Sequence, residues 1–230
     1  MRSIIQTITF ALVLCACHYQ PPPAAAVDEP PIAEEEEISE VETLPLPVKK
    51  PGAISLYDDI FRKYSAEIGW DWRLLAALVW QESRFIPDIR SRKGAYGLMQ
   101  LMPATLSYFG ADTTATPDQQ IAAGVAYIKY LDKIFVQYIA DRDERIKFVL
   151  ASYNSGPGHI LDARRLAEKY GKDAGVWDNS VDSFLLNKSD PAFYNDPDVR
   201  YGKFYGKETF TFVTQIMEQW KYYKRSGNSD

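Results

Sequence analysis

Apolar residues recur at helical spacing through most of the chain after about residue 53, and this pattern constrains the fold more than any other feature. Ile121, Val125, Ile128 and Leu131 form one such stripe, because residues three and four apart share a helix face. No segment alternates polar and apolar residues as a half-buried strand would. The sequence therefore predicts a mainly α domain with at most a small β-hairpin near residues 91–100. The predicted helices cover residues 54–68, 71–82, 103–110, 117–135, 141 or 143 to 153, 158–171 and 208–223, whereas 172–205 is turn-rich and carries no assignment.

The N-terminus has the pattern of an export signal. Arg2 precedes an apolar run, residues 4–16, that is too short to anchor a protein stably across a bilayer. Cys17 follows the small residue Ala16, as in a bacterial lipobox, where the cysteine is lipidated after cleavage. We expect residues 1–17 to be a lipoprotein signal peptide with Cys17 as its lipidation site. An ordinary signal peptide that happens to contain cysteines is the alternative.

Residues 18–51 have the composition of a disordered tether, rich in proline and glutamate and with no aromatic residue after Tyr19. Such a segment cannot bury enough apolar surface to offset the entropy of ordering it. Residues 52–230, which we expect to form the folded domain, carry 23 acidic and 23 basic residues. A balanced domain has no bulk basic field, so a nucleic-acid partner is not expected.

Glu82 stands at the end of an apolar helical stripe, where a lone carboxylate is unusual. Leu78 and Val79 precede it by four and three residues and share its helix face. Burial on that face would raise the pKa of the carboxyl group, and a carboxylic acid that is protonated at neutral pH can act as a general acid. The alternative is a half-exposed glutamate that pairs with Arg84 or Lys93.

Two short motifs follow Glu82. Residues 94–105 read GAYGLMQLMPAT, and residues 151–156 read ASYNSG. Together with Glu82-Ser83, this set resembles the lysozyme-like catalytic domain of the soluble-type lytic transglycosylases, which cut the glycan strands of bacterial peptidoglycan. The resemblance spans residues 55–223. It is most specific to the F-type membrane-bound enzymes, because of segments at 71–77, 158–169 and 200–208. That type carries an N-terminal solute-binding-like domain, whereas this sequence has the tether in that place.

The resemblance implies roles for individual residues. Glu82 would be the catalytic acid, and the Tyr153 hydroxyl would hold its carboxyl group in place by a hydrogen bond. Gly97 would let the backbone approach the substrate closely, and Gln100 would offer its amide to a sugar. The candidate substrate contacts are Ser83, Ser91, Gly97, Met99, Gln100, Tyr153, Asn154 and Glu208. Three of these residues have a structural alternative. Ser83 could simply cap the end of its helix, and Tyr153 could be a core residue. Glu208 could be an acid that the helix dipole favours near an N-terminus.

Glycoside cleavage usually needs two carboxylates, but no convincing partner for Glu82 is found, the nearest downstream acid being Asp88. In the resembled family the substrate supplies the second group, and the product is a 1,6-anhydro sugar. A goose-type muramidase that uses water, and a non-catalytic peptidoglycan-binding lipoprotein, are the alternatives.

No cofactor or metal is expected, because His159 is better explained as a helix-start residue than as a ligand. The expected partners are peptidoglycan glycan strands and a membrane reached through the lipid anchor, while any protein partner is unknown. The expected location is the bacterial cell envelope, at the outer membrane facing the periplasm.

Overall fold

The computed structural model describes residues 52–226, and the predicted signal peptide, Cys17 and the tether to residue 51 lie outside that part. Every regular element within it is helical, which confirms the expected mainly α fold. In chain order the helices are α1 Asp58–Ile68, α2 Trp72–Ser83, α3 Pro103–Tyr108, α4 Pro117–Phe135, α5 Arg142–Ser155, α6 Pro157–Lys169, α7 Asp182–Asn187, α8 Pro191–Tyr194 and α9 Lys207–Ser226.

Local chemistry at polar and glycine positions sets several helix ends. Asp71 begins α2 by accepting a hydrogen bond from the Arg73 N–H at 2.9 Å. Thr116 and Gln119 cap α4 reciprocally. Gly69 ends α1 with a left-handed φ of 60°, a conformation that glycine adopts without steric cost.

The predicted start of α1 at Ile54 is wrong by four residues. The carboxylate of Asp58 accepts hydrogen bonds from the backbone N–H groups of Ile54 and Ser55, at 2.9 and 2.8 Å. These bonds close a turn that competes with helix, because a short acidic side chain offers the backbone an alternative partner. Helix α1 therefore begins at Asp58 itself.

The unassigned stretch 172–205 contains α7, α8 and a wide turn at Trp177–Val181. Two residues of that turn, Asp178 and Asn179, have non-helical backbone angles. Both helices are six residues or shorter, so they present too few turns for a helical stripe to be recognised in the sequence.

Helix α2 lies in the middle of the core, where it packs against α1 and α9, while α5 packs against α4, α6 and α9. Leu74, Leu75, Leu78 and Val79 of α2 are fully buried. Burying one such side chain contributes about 1.5–3 kcal/mol. Because both of its neighbours hold α2, the direction in which its last turn points is well determined, and that turn carries Glu82.

Residues 90–101 form a compact loop within the connection from α2 to α3. Its antiparallel pairings are isolated bridges, between Arg90 and Tyr96 and between Tyr96 and Leu101. Among residues 52–226 no continuous strand is present, in agreement with the expectation of a small hairpin at most. Within the same residues, no helix is long and apolar enough to cross a membrane.

Candidate active site

Glu82 occupies the last turn of α2 and is partly exposed at the edge of the core. Burial raises the pKa of its carboxyl group to about 8, and no neighbouring charge contributes to that shift. Burial has this effect because it removes hydration, and the ionised carboxylate depends on hydration more than the neutral acid does. At neutral pH the group is therefore mostly protonated, in the form that can donate a proton.

The alternative interpretation of Glu82, an ion pair with Arg84 or Lys93, is not supported by the contacts. Arg84 donates instead to the backbone oxygen of Trp80 at 2.7 Å, and its guanidinium lies 4.6 Å from the centre of that indole ring. Among residues 52–226 no base forms a salt bridge with Glu82, so its carboxyl group faces the site without a charged partner.

The chain leaves α2 through an unusual backbone conformation. Arg84 and Phe85 have left-handed φ angles of 53° and 64°, and Gln100 at the far end of the loop has 45°. Such angles are costly for residues with a side chain and persist only where surrounding contacts hold them. Nothing in the sequence signals them, and they change the direction of the chain near both ends of the loop.

Gly97 fixes this loop onto helix α4. A side chain there would collide with Gln120, whose Oε1 accepts a hydrogen bond from the Leu98 N–H at 2.8 Å. The φ of Gly97 is 77°, which a residue with a Cβ rarely adopts. Close approach is thus needed at Gly97, and the group approached in the structure is the protein's own Gln120, whereas an approach to substrate at Gly97 stays a prediction.

The side chains of Gln100 and Met99 stabilise the loop itself, whereas the sequence predicted that both contact the substrate. The Gln100 amide nitrogen donates to the backbone oxygens of Ile89 and Gly97, at 3.1 and 2.8 Å, so both of its protons are used. Only the amide oxygen remains for a sugar. The Met99 side chain is buried against Gly124 of α4, so the prediction of a substrate contact at Met99 is not supported.

Tyr153 does not form the predicted hydrogen bond to Glu82. Its hydroxyl donates to the backbone oxygen of Met99 at 2.6 Å, and a hydroxyl has only one proton to donate. Burial, followed by the Glu82 carboxylate and then Tyr127, raises the pKa of Tyr153 well above its usual value. The phenol is therefore within electrostatic reach of Glu82 and can only accept a hydrogen bond from the protonated acid.

Tyr153→Phe is expected to lower both stability and activity. Removing the hydroxyl leaves the buried Met99 oxygen without a donor, which costs about 1–3 kcal/mol. It also frees the loop beside Glu82, so we expect turnover to fall about tenfold or more at a temperature where the variant is folded. Thermal unfolding and murein cleavage, measured on one preparation, check both.

Tyr127→Phe is the matched control, because Tyr127 packs its ring 5.2 Å from that of Tyr153 but forms no hydrogen bond within residues 52–226. It should change neither quantity appreciably. Unchanged activity in a destabilised Tyr153→Phe protein would assign Tyr153 to the core alone.

The two serines differ from their predicted roles. Ser83 is 1% exposed, and its hydroxyl donates to the Val79 oxygen one turn back at 3.0 Å, which supports the helix-end alternative. Ser91 is exposed, and its hydroxyl oxygen accepts from the Ala95 N–H at 3.0 Å, closing a turn. Ser91 keeps an accessible oxygen, whereas Ser83 does not.

Asn154 and the start of α9 are brought together, although they are distant in sequence. The Thr209 hydroxyl donates to the Asn154 side-chain oxygen at 2.7 Å. Thr209 is buried, whereas its neighbour Glu208 and Asn154 itself are exposed. The predicted contacts Asn154 and Glu208 therefore border the same edge of the domain, just beyond the helix turn that carries Tyr153.

A buried charged cluster lies next to this edge and was not predicted. Asp162 and Lys188 are both fully buried and form an ion pair at 2.5 Å, and Arg165 also pairs with Asp162. His159 places its Nδ1 3.2 Å from the Lys188 ammonium and stacks on Phe204. Asp162 precedes the buried Leu166 by four residues, so the signal that singled out Glu82 could also have found it.

Hydrogen bonds keep Asp162 ionised. Burial alone would raise the pKa of its carboxyl, but the backbone N–H groups of Arg200 and Tyr201, together with the Lys188 ammonium, outweigh burial and lower it. Through residues 52–226 no group of three or more His, Cys, Asp or Glu side chains is arranged to hold a metal ion.

Comparison with known proteins gives a consistent family assignment. The family model described as "Transglycosylase SLT domain" matches residues 59–175. A membrane-bound lytic murein transglycosylase F from Maricaulis maris is 40% identical over 162 residues, covering 70% of this chain and 35% of the relative. The protein of the same description from Marinobacter nauticus is 38% identical over 160 residues, covering 70% and 31%. This chain thus spans about a third of the length of these relatives.

Among solved structures, the lytic transglycosylase Slt from Pseudomonas aeruginosa aligns with a TM-score of 0.49 and 24% identity, over 74% of this chain and 24% of that one. The 70 kDa soluble lytic transglycosylase from Escherichia coli aligns with a TM-score of 0.49 and 23% identity.

Proposed function

We propose that this chain, which belongs to the transglycosylase SLT domain family, is a peptidoglycan lytic transglycosylase. It would cleave the β-1,4 bond between N-acetylmuramic acid and N-acetylglucosamine and leave a 1,6-anhydro-muramoyl end. The observation that carries this proposal is Glu82, a carboxylic acid with a pKa of about 8 that lies within electrostatic reach of Tyr153, the residue bonded to Met99 of the loop 90–101.

In the first step, the neutral Glu82 carboxyl donates its proton to the glycosidic oxygen while the bond from that oxygen to the anomeric carbon breaks. The raised pKa serves this step, because general acid catalysis is most effective when the acid's pKa lies near the working pH. The acetamido oxygen of the substrate then stabilises the cationic sugar. No second protein carboxylate is needed.

In the second step, the Glu82 carboxylate takes the proton from the 6-hydroxyl of the same sugar as that oxygen attacks the anomeric carbon. The acid is restored, one bond has been exchanged for another, and no water is consumed. The Tyr153 hydroxyl, held by Met99, lies within electrostatic reach of the carboxyl throughout and can accept a hydrogen bond from its protonated form. The protein's part is to position one carboxyl group and to keep its pKa near the working pH, so that it can give up a proton and then take one back.

The remaining candidate contacts divide by their accessibility. Asn154, Glu208 and Ser91 are exposed polar groups, and the Gln100 amide oxygen is unused by the loop, so these four can contact sugar hydroxyl or acetamido groups. Gly97 supports the loop from behind.

A gel containing murein tests the enzymatic proposal against the non-catalytic alternative. The folded protein should clear a zone in the gel, and the Glu82→Gln protein should not. A folded wild-type protein that binds murein without clearing it would instead support a peptidoglycan-binding role.

Cleavage should fall as the pH rises above about 8. The general acid must be protonated, and Glu82 loses its proton as the pH passes through its raised pKa. A carboxyl with an ordinary pKa near 4.5 would already be ionised at neutral pH. An enzyme that used such a group as its general acid would lose activity as the pH rises through the acidic range. Initial rates on soluble glycan strands between pH 5 and about 9.5 separate the two cases, provided that unfolding is followed at each pH.

We also propose that Cys17 carries a lipid anchor that holds the domain in the cell envelope, at the outer membrane facing the periplasm. The lipobox-like sequence Leu14-Cys15-Ala16-Cys17 supports the anchor, and the name "membrane-bound" of the relatives is compatible with it.

Cys17→Ala should abolish incorporation of labelled fatty acid and move the protein from the membrane to the soluble fraction. The acyl chains would provide most of the membrane affinity. Cys15→Ala is the matched control and should remain labelled and sedimentable. If Cys17→Ala protein still sediments with membranes, another part of the chain provides the attachment.

A further inference from the structure

Residues 200–207, which we call the cationic strap, form the later part of the connection from α8 to α9, end on the first residue of α9 and have the sequence RYGKFYGK. This stretch of eight residues contains three bases and no acid, although acids and bases balance in residues 52–230 as a whole. The strap is therefore a local concentration of positive charge.

The buried charged cluster holds the strap in place. The N–H groups of Arg200 and Tyr201 donate to the Asp162 carboxylate, each at 2.9 Å, and the Phe204 N–H donates to the Lys188 oxygen at 3.1 Å. These bonds use backbone groups, so the strap's path does not depend on its own charged side chains. The buried cluster therefore holds the backbone of the strap, while the side chains of Tyr201, Lys203 and Tyr205 remain exposed to solvent.

The strap lies beside the candidate active site. The Tyr201 ring covers Gly158, where an added Cβ would come within 2.5 Å of it, and Gly158 follows Asn154 by four residues. The strap then leads directly into Glu208 and Thr209, and Thr209 is bonded to Asn154. It thus continues the edge that Asn154 and Glu208 form.

The side chains that the strap exposes are aromatic and cationic. Tyr201 is 57% exposed and Tyr205 is 69% exposed, and the Lys203 ammonium lies 4.9 Å from the centre of the Tyr205 ring. Within the described part of the chain, neither Arg200, Lys203 nor Lys207 has a salt bridge to an acid. Cations that the protein leaves without acidic partners beside a polymer-binding site are available to acidic groups of that polymer.

We infer that the cationic strap binds the carboxylates of the peptides attached to the glycan substrate. This inference rests on the proposed function, because it assigns a part of the same substrate to the same edge. The amino sugars of the strand offer hydroxyl and acetamido groups, because the lactyl carboxyl of each peptide-bearing muramoyl residue is tied up in the amide bond to its peptide, whereas the attached peptides carry free carboxylates. Charge complementarity therefore favours the peptide as the group that the strap contacts, with the tyrosine rings packing on its apolar parts.

The test compares binding to two insoluble materials: murein with its peptides, and the same murein after its free carboxylates have been capped as neutral methylamides. The full-length Glu82→Gln protein is used as the parent so that neither material is degraded. Arg200→Gln/Lys203→Gln in this parent should weaken binding to untreated murein about threefold to tenfold, as two exposed charge contacts would. Binding to the capped material should not change, and added salt should reduce the difference.

Lys133→Gln/Lys172→Gln is the matched control, since both lysines are exposed, unpaired within residues 52–226 and outside the strap. It should bind both materials as the parent does. Equal weakening on both materials would mean that the strap contacts uncharged groups of the murein and would overturn the inference, as would no weakening on either. Cleavage by the wild-type protein is measured separately, so its absence would count against the proposed function while the binding comparison still decides the role of the strap.

Discussion

Glu82→Gln is expected to abolish murein cleavage while the protein remains folded. Glutamine matches the shape of protonated glutamic acid but cannot donate a proton to the glycosidic oxygen or take one from the 6-hydroxyl. General acid–base catalysis typically contributes about a hundred- to ten-thousand-fold, and here one group would perform both transfers. We therefore expect a loss at or beyond the upper part of that range.

The stability of the Glu82→Gln protein provides an independent check. Because the folded-state pKa of Glu82 is raised to about 8, folding requires a proton that the unfolded chain releases above pH 4.5. Stability attributable to this group is thus greatest below that pH and declines as the pH rises toward 8. Glutamine does not ionise, so the variant does not lose stability in this way as the pH rises. At pH 8 it should be more stable than the wild type, by an amount on the order of a few kcal/mol at most.

Asp88→Asn is the matched control for activity, since Asp88 is the nearest downstream acid and accepts a hydrogen bond from Tyr96 that asparagine can also accept. It should retain most activity. Wild-type turnover by folded Glu82→Gln protein would remove Glu82 from the catalytic role.

Asp162→Asn should cause the largest loss of stability among single substitutions of a charged side chain. It leaves the Lys188 ammonium fully buried without its counter-ion, and breaking a buried pair in this way costs about 3–5 kcal/mol. It also removes half of the acceptor capacity on which the N–H groups of Arg200 and Tyr201 depend. Chemical denaturation at neutral pH measures the loss.

Asp178→Asn is the matched control, because Asp178 pairs with Lys147 but its side chain is 64% exposed, and such surface pairs contribute about 1 kcal/mol or less. Combining Asp162→Asn with Lys188→Met should recover part of the stability, since no buried charge is then left alone. If Asp162→Asn costs no more than Asp178→Asn, the buried pair does not hold this part of the fold.

The helices that could be predicted from the sequence are those whose ends are decided locally. Pro103, Pro117 and Asp141 mark helix starts because their preferences depend on adjacent backbone groups alone. Glu82 was also recognisable, because a carboxylate on an apolar face is a local anomaly whose electrostatic consequence follows from burial.

The contacts that could not be predicted join residues far apart in the chain. The partner of Tyr153, Met99, is 54 residues away, and that of Asp162, Lys188, is 26 residues away. No local preference states which backbone oxygen a buried phenol will reach. For the same reason, the sequence shows that the Gln100 amide is a donor, but it does not show that the loop itself uses that donor.

Mass spectrometry of the products released from purified murein tests the central claim most directly. If Glu82 acts as both acid and base on a substrate that supplies its own nucleophile, the muramoyl products should carry 1,6-anhydro ends from the first turnover. They should then resist borohydride reduction, because they have no reducing end. Products heavier by one water and reducible by borohydride would show that water is the nucleophile and would contradict the account.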